Sequence, residues 1–270
     1  MSKNNFGVAI ITCDRSNYVN NLLNCLPPSE ILPIIINDGK SDLIDINKPH
    51  HCKKTEKPRS GVGRAKNIAL KQLMDIGYDY LFLLEDDILI KDTEIFQKYI
   101  EASRLSGIQH FNFAFHGTDN YKSDGSPAIN LQVEYSKDCT VCLYPNVYGA
   151  LSFYTRKCIE ECGYMDEYYY NALEHVDHTY KASLKNYTSP WRYFADVHNS
   201  FEYLNDIVPD HQQSKIRNQS NFQEIFKNGL DLFIKKNGFS VVQGYGPPEE
   251  ILKISDCITK LKEIYNNKDK

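Results

Sequence analysis

The chain has 270 residues, 41% hydrophobic and 24% charged, with 31 Lys and Arg against 35 Asp and Glu for a formal net charge of -4. That usage is globular, which excludes a disordered tail, a collagen-like fibre and a coiled coil, and the length suits one hydrophobic core or one with a small appendage. The acidic balance makes nucleic acid a disfavoured partner, although a local basic groove stays open.

Phe6 to Ile11 is an apolar run rich in β-branched residues and predicts a buried strand. Asp14, Ser16 and Asn17 are cap-type residues ahead of Tyr18, Leu22, Leu23 and Leu26 at helical spacing, and Pro27-Pro28 ends that helix. Ile31 to Ile36 reads as a second buried strand, stopped by the turn signature Asn37-Asp38-Gly39. Ser60-Gly61-Val62-Gly63 leads into a helix carrying Ala65, Ile68, Ala69, Leu73 and Met74. Tyr80 to Leu84 is a third apolar strand that runs straight into Glu85-Asp86-Asp87. This alternation predicts an α/β fold, a mostly parallel central sheet with helices on both faces. Ligands of such sheets bind beyond the carboxyl ends of the strands, here Thr12 and Asp14, Asp38, and Glu85 to Asp87.

Ile95 to Ile108 predicts a further helix, and Phe111 to Phe115 and Leu131 to Tyr135 read as strands in a tyrosine-rich stretch. Gly149 to Tyr154 predicts another buried strand, Asn171 to Leu184 a helix and Tyr193 to Phe201 a strand. Asp206 to Asn221 is polar, holds Pro209 and predicts a mobile loop. Helical patterns from Phe222 to Lys236 and from Pro248 to Tyr265 close the chain.

No run approaches the roughly 18 apolar residues that a membrane-spanning helix needs, and Met1 to Asn5 lacks the layout of a secretory signal. A cytoplasmic protein is the expectation, with peripheral membrane association and oligomeric state left open. Eight cysteines fit that better than a disulfide framework does. Cys139 and Cys142 form a CxxC, but no second pair or histidine spacing completes a zinc site.

Three consecutive carboxylates after a buried strand repel one another unless a cation or hydrogen bonds offset them. A divalent metal shared with a phosphate-rich ligand is the simplest offset, because Mg2+ and Mn2+ prefer oxygen ligands.

These residues resemble the family-two inverting nucleotide-sugar glycosyltransferases of the bacterial surface-polysaccharide type, which have the GT-A fold. Ile10-Ile11-Thr12-Cys13-Asp14-Arg15 resembles their first strand and turn, and Ile36-Asn37-Asp38-Gly39 with Ser41 and Asp42 resembles their second-strand motif. Gly61-Val62-Gly63-Arg64-Ala65-Lys66-Asn67 is similar to their Gly-rich segment, with Lys66 where Arg is usual. Leu84-Glu85-Asp86-Asp87 is similar to the DxD motif, with Glu85 at the first acid. Gly163-Tyr164-Met165-Asp166-Glu167 resembles an acceptor-side motif, and Glu174-His175 stands at the family's Glu-Asp pair.

The resemblance implies a UDP-sugar or related donor, a divalent Mn2+ or Mg2+ cofactor and a saccharide acceptor of a surface glycan. Thr12, Asp14 and Arg15 would border the nucleotide, Asp38 the base, and Arg64 and Lys66 the ribose or diphosphate. Glu85 and Asp86 would line the donor site, Asp87 would ligate the metal, and His198 resembles a histidine that completes the metal site in several GT-A enzymes. Residues 1–110 would form the donor half, 111–205 the acceptor half, and 206–270 a polar loop with a C-terminal helical extension. Lys215 and Arg217 could close over the diphosphate, and Lys235-Lys236-Asn237-Gly238 is loosely similar to a Lys-Trp-Gly segment without its Trp.

The general base stays open among Glu174, His175 and Asp177. Helix geometry puts Glu174, Asp177 and His178 on one face and His175 about a quarter-turn away, while Asn171 with Glu174 also matches a capping box. Tyrosine offers sugars both a ring face and a hydroxyl, so Tyr168, Tyr169, Tyr170 and Trp191 are acceptor candidates. Rival readings are nucleotidyl transfer, a non-catalytic sugar- or partner-binding scaffold, and glycosylation of a modified nucleobase in DNA.

Overall fold

A computed structural model of the chain describes residues 5–27, 29, 31–43, 46, 49–207, 216–242 and 252–268. The chain runs β1 (Phe6–Thr12), α1 (Ser16–Cys25), β2 (Ile34–Asn37), β3 (His51–Lys54), α2 (Val62–Ile76) and β4 (Tyr80–Glu85). Next come β5 (Ile88–Ile90), α3 (Glu94–Ser106), β6 (His110–Asn112), β7 (Leu131–Ser136), β8 (Cys139–Tyr144) and β9 (Leu151–Thr155). Then follow α4 (Arg156–Cys162), α5 (Glu174–Leu184), β10 (Phe194–Val197), α6 (Ser200–Tyr203), β11 (Leu204–Asp206), α7 (Phe222–Asn237) and α8 (Ile254–Asn266).

The apolar runs of β1 and β4 are continuous because both faces of these strands are covered. Along β1, Val8 and Ile10 enter one core, while Ala9 and Ile11 enter a second on the opposite face. Phe82 and Leu84 of β4 likewise join the first, Leu81 and Leu83 the second. The first core is closed by Leu22 and Leu23 of α1, Phe96 and Tyr99 of α3, and Leu261 and Ile264 of α8. The second is closed by Ala65, Ala69 and Leu73 of α2, with Cys158 and Ile159 of α4. A third, smaller core joins Val176 of α5 to Ile225 and Phe233 of α7.

The central sheet has the order β3-β2-β1-β4-β9-β6. Its first four strands are parallel, and β9 pairs antiparallel with both β4 and β6. The fold is therefore mixed α/β, with a mostly parallel sheet and helices on both faces, as the alternation predicts. A second antiparallel sheet is ordered β10-β8-β7, and β11 pairs with β5.

Several elements differ from the sequence expectation. The second strand starts at Ile34 rather than Ile31, and the stretch Tyr193 to Phe201 divides into β10 and α6. β3 was not predicted, because His51, Cys52, Lys53 and Lys54 are all exposed and carry no burial pattern. Half of the predicted polar loop, with Lys215, and the predicted start of the last helix at Pro248 lie outside the described residues. Among the described residues, no helix is long and apolar enough to cross a membrane.

Candidate active site

The carboxyl ends of β1, β2 and β4 lie side by side, with Ile11 in register with Glu85 and Thr12 with Asn37. Arg15, just past β1, donates to Asp86 through Nε at 3.0 Å and to Asp87 Oδ2 through Nη2 at 3.1 Å, and Nη2 also meets Asp86 Oδ1. Thr12 Oγ1 donates to Asp86 as well. Asp86 is thus buried and neutralised from within, and its middle position in the acidic triplet serves the loop.

Asp14 and Asp38 organise the neighbouring turns. Asp14 accepts the Lys40 and Ser41 amides at 3.1 and 2.9 Å. A Cβ on Gly39 would fall 1.9 Å from Asp14 Oδ1, so only glycine allows this closure. Asp38 accepts from Thr55 Oγ1 at 2.8 Å, from Ser60 N and Oγ at 2.9 and 2.8 Å, and from Gly61 N at 2.9 Å. Its acceptor capacity is spent largely on the turn that starts α2.

That turn is capped from a distance. Asn171 Oδ1 accepts the Val62 amide at 2.9 Å, so Asn171 caps α2 and forms no capping box on its own helix. The N-cap of α5 is Leu173, without a side-chain cap. Asn67 donates to Met165 O at 2.9 Å and to Glu167 Oε1 at 3.0 Å, which ties the Gly-rich segment to the acceptor-side motif.

Lys66, expected beside a ribose or diphosphate, is instead fully buried. Its ammonium donates to Glu85 Oε1 at 2.7 Å, Gly149 O at 3.0 Å and Glu174 Oε1 at 3.1 Å. Burial works to raise the Glu174 carboxyl, and the charges of Lys66 and His175 overcome it and hold the group well below the usual range. Glu85 is lowered against its burial in the same way, chiefly by Lys66. His175 Nδ1 stands 3.1 Å from the same Glu174 oxygen. The spacing on α5 holds: Glu174, Asp177 and His178 are buried, while the His175 side chain keeps 20% of its surface.

Asp177 is committed elsewhere. It accepts from Lys236 at 2.8 Å and from Tyr169 OH at 3.1 Å, pinning α5 to the end of α7. Tyr169 is accordingly core, whereas Tyr168 is 87% exposed and Tyr170 lies at the surface with its OH on Arg59 O at 3.2 Å. Trp191 packs against Tyr180, Phe194, Phe233 and Phe239 in an aromatic cluster. His198 is exposed at the end of β10, with Nδ1 3.3 Å from Cys142 Sγ.

Among the described residues, a histidine within electrostatic reach of Glu85 and Asp87 is His116. It lies 3.3 Å from Asp206 on β11, and the Asp206 hydrogen bond with the charges of Asp87, Asp206 and Glu85 overcomes burial and raises its titration. Sequence reasoning missed this pair. His116 ends the apolar run Phe111 to Phe115 much as Glu85 ends β4, and that signal was readable; Asp206 sat in a polar stretch with none. Gly149 was missed too: its Cβ would come within 2.8 Å of His175 Nδ1 and 2.9 Å of Lys66 Nζ.

Asp87 is raised by its own burial and by Glu85, against His116 and Arg15, and its Oδ1 is buried with no hydrogen-bond partner among the described residues. Among those residues no group of three or more His, Cys, Asp and Glu is gathered to hold a metal. A cation that shares its shell with phosphates needs only one or two protein carboxylates, so the open Asp87 oxygen fits one. Arg64, half-buried in the first turn of α2, makes no ion pair or hydrogen bond among the described residues.

No family model and no curated protein matches the chain. Solved structures do. The mannosyltransferase PcManGT from Pyrobaculum calidifontis, in complex with GDP-Man and Mn2+, matches at 10% identity and a TM-score of 0.42, over 62% of this chain and 49% of that one. GalNAc-T7 with UDP, GalNAc and Mn2+ matches at 12% identity and 0.47, over 66% and 40%. A197 from STIV matches at 15% identity and 0.36, over 57% and 68%. This chain thus spans half or less of the two transferase chains, and overlaps this distant bear on no individual residue or activity.

Proposed function

We propose that the protein is a divalent-metal-dependent glycosyltransferase of the GT-A type. It moves a sugar from a nucleotide-diphospho-sugar, UDP-sugars favoured, to a saccharide acceptor of a surface glycan with inversion. The observation that carries this reading is a pair of functions at one end of the sheet, linked through Glu85, Lys66 and Glu174. On one side is Asp87 with an open buried oxygen beside Glu85; on the other is His175, oriented by Glu174. The ordered motifs of residues 10–87 support the same reading.

The reaction is a single in-line displacement at the anomeric carbon. His175 takes the acceptor's proton on Nε2, because Glu174 occupies Nδ1; the Glu174 carboxylate is engaged by Lys66 and that of Asp177 by Lys236, so neither is free to serve. Asp87 would hold the divalent cation, which when bound would supply charge neutralisation for the leaving diphosphate. Arg64, uncommitted among the described residues and beside the α2 N-terminus, replaces Lys66 as the cation for that diphosphate. Most of the acceleration comes from positioning and charge stabilisation. Tyr168 and Tyr170 offer exposed rings to the acceptor.

The test is hydrolysis of a panel of nucleotide sugars in Mn2+, with calorimetric titration of UDP in the presence and absence of the metal. Turnover of at least one donor and metal-dependent binding of its nucleoside diphosphate are expected. Absence of both would favour a non-catalytic scaffold.

A further inference from the structure

We propose that Lys66 is a positioning residue that keeps Glu174 a pure hydrogen-bond acceptor and so sets His175 in the tautomer whose Nε2 is free to take a proton. The inference rests on the reading of His175 as the general base, but the tautomer itself can be measured without any substrate.

All three ammonium donors of Lys66 are spoken for, by Glu85 Oε1 at 2.7 Å, Gly149 O at 3.0 Å and Glu174 Oε1 at 3.1 Å. No donor remains for a phosphate, which separates this residue from the role its place in the Gly-rich segment suggests. Glu174 Oε1 is the oxygen that also meets His175 Nδ1, at 3.1 Å. An ionised carboxylate only accepts. With an ammonium against that oxygen the shared proton sits on Nδ1, and the lone pair is left on Nε2.

The backbone enforces the arrangement. Gly149, just before β9, lies so close that a Cβ there would stand 2.8 Å from His175 Cγ and Nδ1 and 2.9 Å from Lys66 Nζ. Among the described residues, the charged and titratable groups around the imidazole include Glu174 from α5 itself, Lys66 from α2 with Glu85 of β4 behind it, and His110 of β6. Removing the Lys66 charge leaves Glu174 to balance itself against His175 alone, which favours the imidazolium. The acid limb of the transfer rate then moves to higher pH.

The experiment is 15N-histidine NMR on the full chain without substrate, with His175→Gln to assign the resonance. The wild type should show the neutral ring protonated at Nδ1 at pH 7.5. Lys66→Met should lose that pattern, and Lys66→Arg, which keeps the charge, should restore it. In transfer assays Lys66→Met should lower kcat about tenfold or more while the donor KM moves by less than about threefold. An Nε2–H ring in the wild type overturns the proposal. So does a folded Lys66→Met protein with the wild-type ring pattern and pH profile. Should Lys66→Met not fold, Glu174→Ala decides, because it leaves Lys66 paired with Glu85; a wild-type pattern there also overturns it. If the wild type turns over no nucleotide sugar, the functional reading fails while the ring pattern still judges Lys66.

Discussion

Asp87 is the residue whose cost in the fold points most directly to a ligand. Its carboxylate is pushed up by burial and by Glu85, His116 and Arg15 offset only part of this, and Oδ1 has no hydrogen-bond partner among the described residues. Asp87→Asn keeps the shape and removes the opposed charge. Thermal stability should therefore stay level or rise by up to about 1 kcal/mol, while UDP affinity in Mn2+ falls at least about tenfold. A variant that loses stability and affinity together would make Asp87 a structural acid. Gly149 provides the complementary case, since its place is set by close approach. Gly149→Ala should force His175 and Lys66 apart at a stability cost of about 1–3 kcal/mol. It should also lower kcat by roughly ten- to a hundredfold through misplacement of the base. Unchanged kcat in the purified variant would remove the Lys66–Glu174–His175 arrangement from the mechanism.

At the scale of elements, α5 carries two kinds of buried group with opposite duties. Asp177 ties it to α7, so Lys236→Met should cost about 1–2 kcal/mol, discounted because Lys236 is about a third exposed. Urea unfolding would show this cost, and kcat should remain as in the wild type; a collapse in kcat would return Asp177 to the catalytic candidates. On the other side, burial holds His178 down to about 4 and, with the His178 charge, His110 down to about 3. An ordinary histidine titrates near 6.5, so between that pH and about 4 the unfolded chain binds protons that the folded chain refuses. Stability falls as pH drops through this window. Asp196, raised to about 6 chiefly by burial, works the other way, because the folded chain keeps a proton there that the unfolded carboxyl releases. His178→Gln takes one histidine out of the balance. Its urea stability should fall less steeply from pH 6 to 4.5, by about 1.4 kcal/mol per pH unit. Parallel slopes would show that His178 opens to solvent before global unfolding.

What was legible in the sequence follows from the same distinction. Strands covered on both faces, such as β1 and β4, announce themselves as apolar runs, and acids at their ends mark the site. Edge strand β3 has no buried face and left no trace. Local patterns misled where a distant partner competes for the side chain: Asn171 with Glu174 reads as a capping box, yet Asn171 caps α2, 109 residues earlier, and Glu174 turns to Lys66. Asp38, expected to face a base, is spent on the Thr55–Gly61 turn, and no spacing rule distinguishes those two uses of an aspartate.

Taken as a whole, the site is a joint between parts of the chain far apart in sequence. Lys66 of α2 meets Glu174 of α5, the Asp87 carbonyl accepts the Ile207 amide, and Asp206 accepts the Gly117 amide at 3.0 Å. A ligand that binds at the β4 acids therefore binds a surface that exists only in the folded molecule, and linkage converts its affinity into stability. At a hundred times its dissociation constant such a ligand adds about 2.7 kcal/mol, which for a domain of this size is a rise in Tm of roughly 5–10 °C. UDP with Mn2+ together should give that rise in differential scanning fluorimetry. Either alone should give a smaller one, since the diphosphate brings the oxygens that complete the cation's shell and the cation neutralises the diphosphate against Glu85 and Asp87. A chelator should abolish the gain, and Asp87→Asn should lose it even in excess Mn2+. A rise produced in full by Mn2+, with UDP adding nothing, would mean that the acids hold a structural ion and would remove the donor from this end of the sheet.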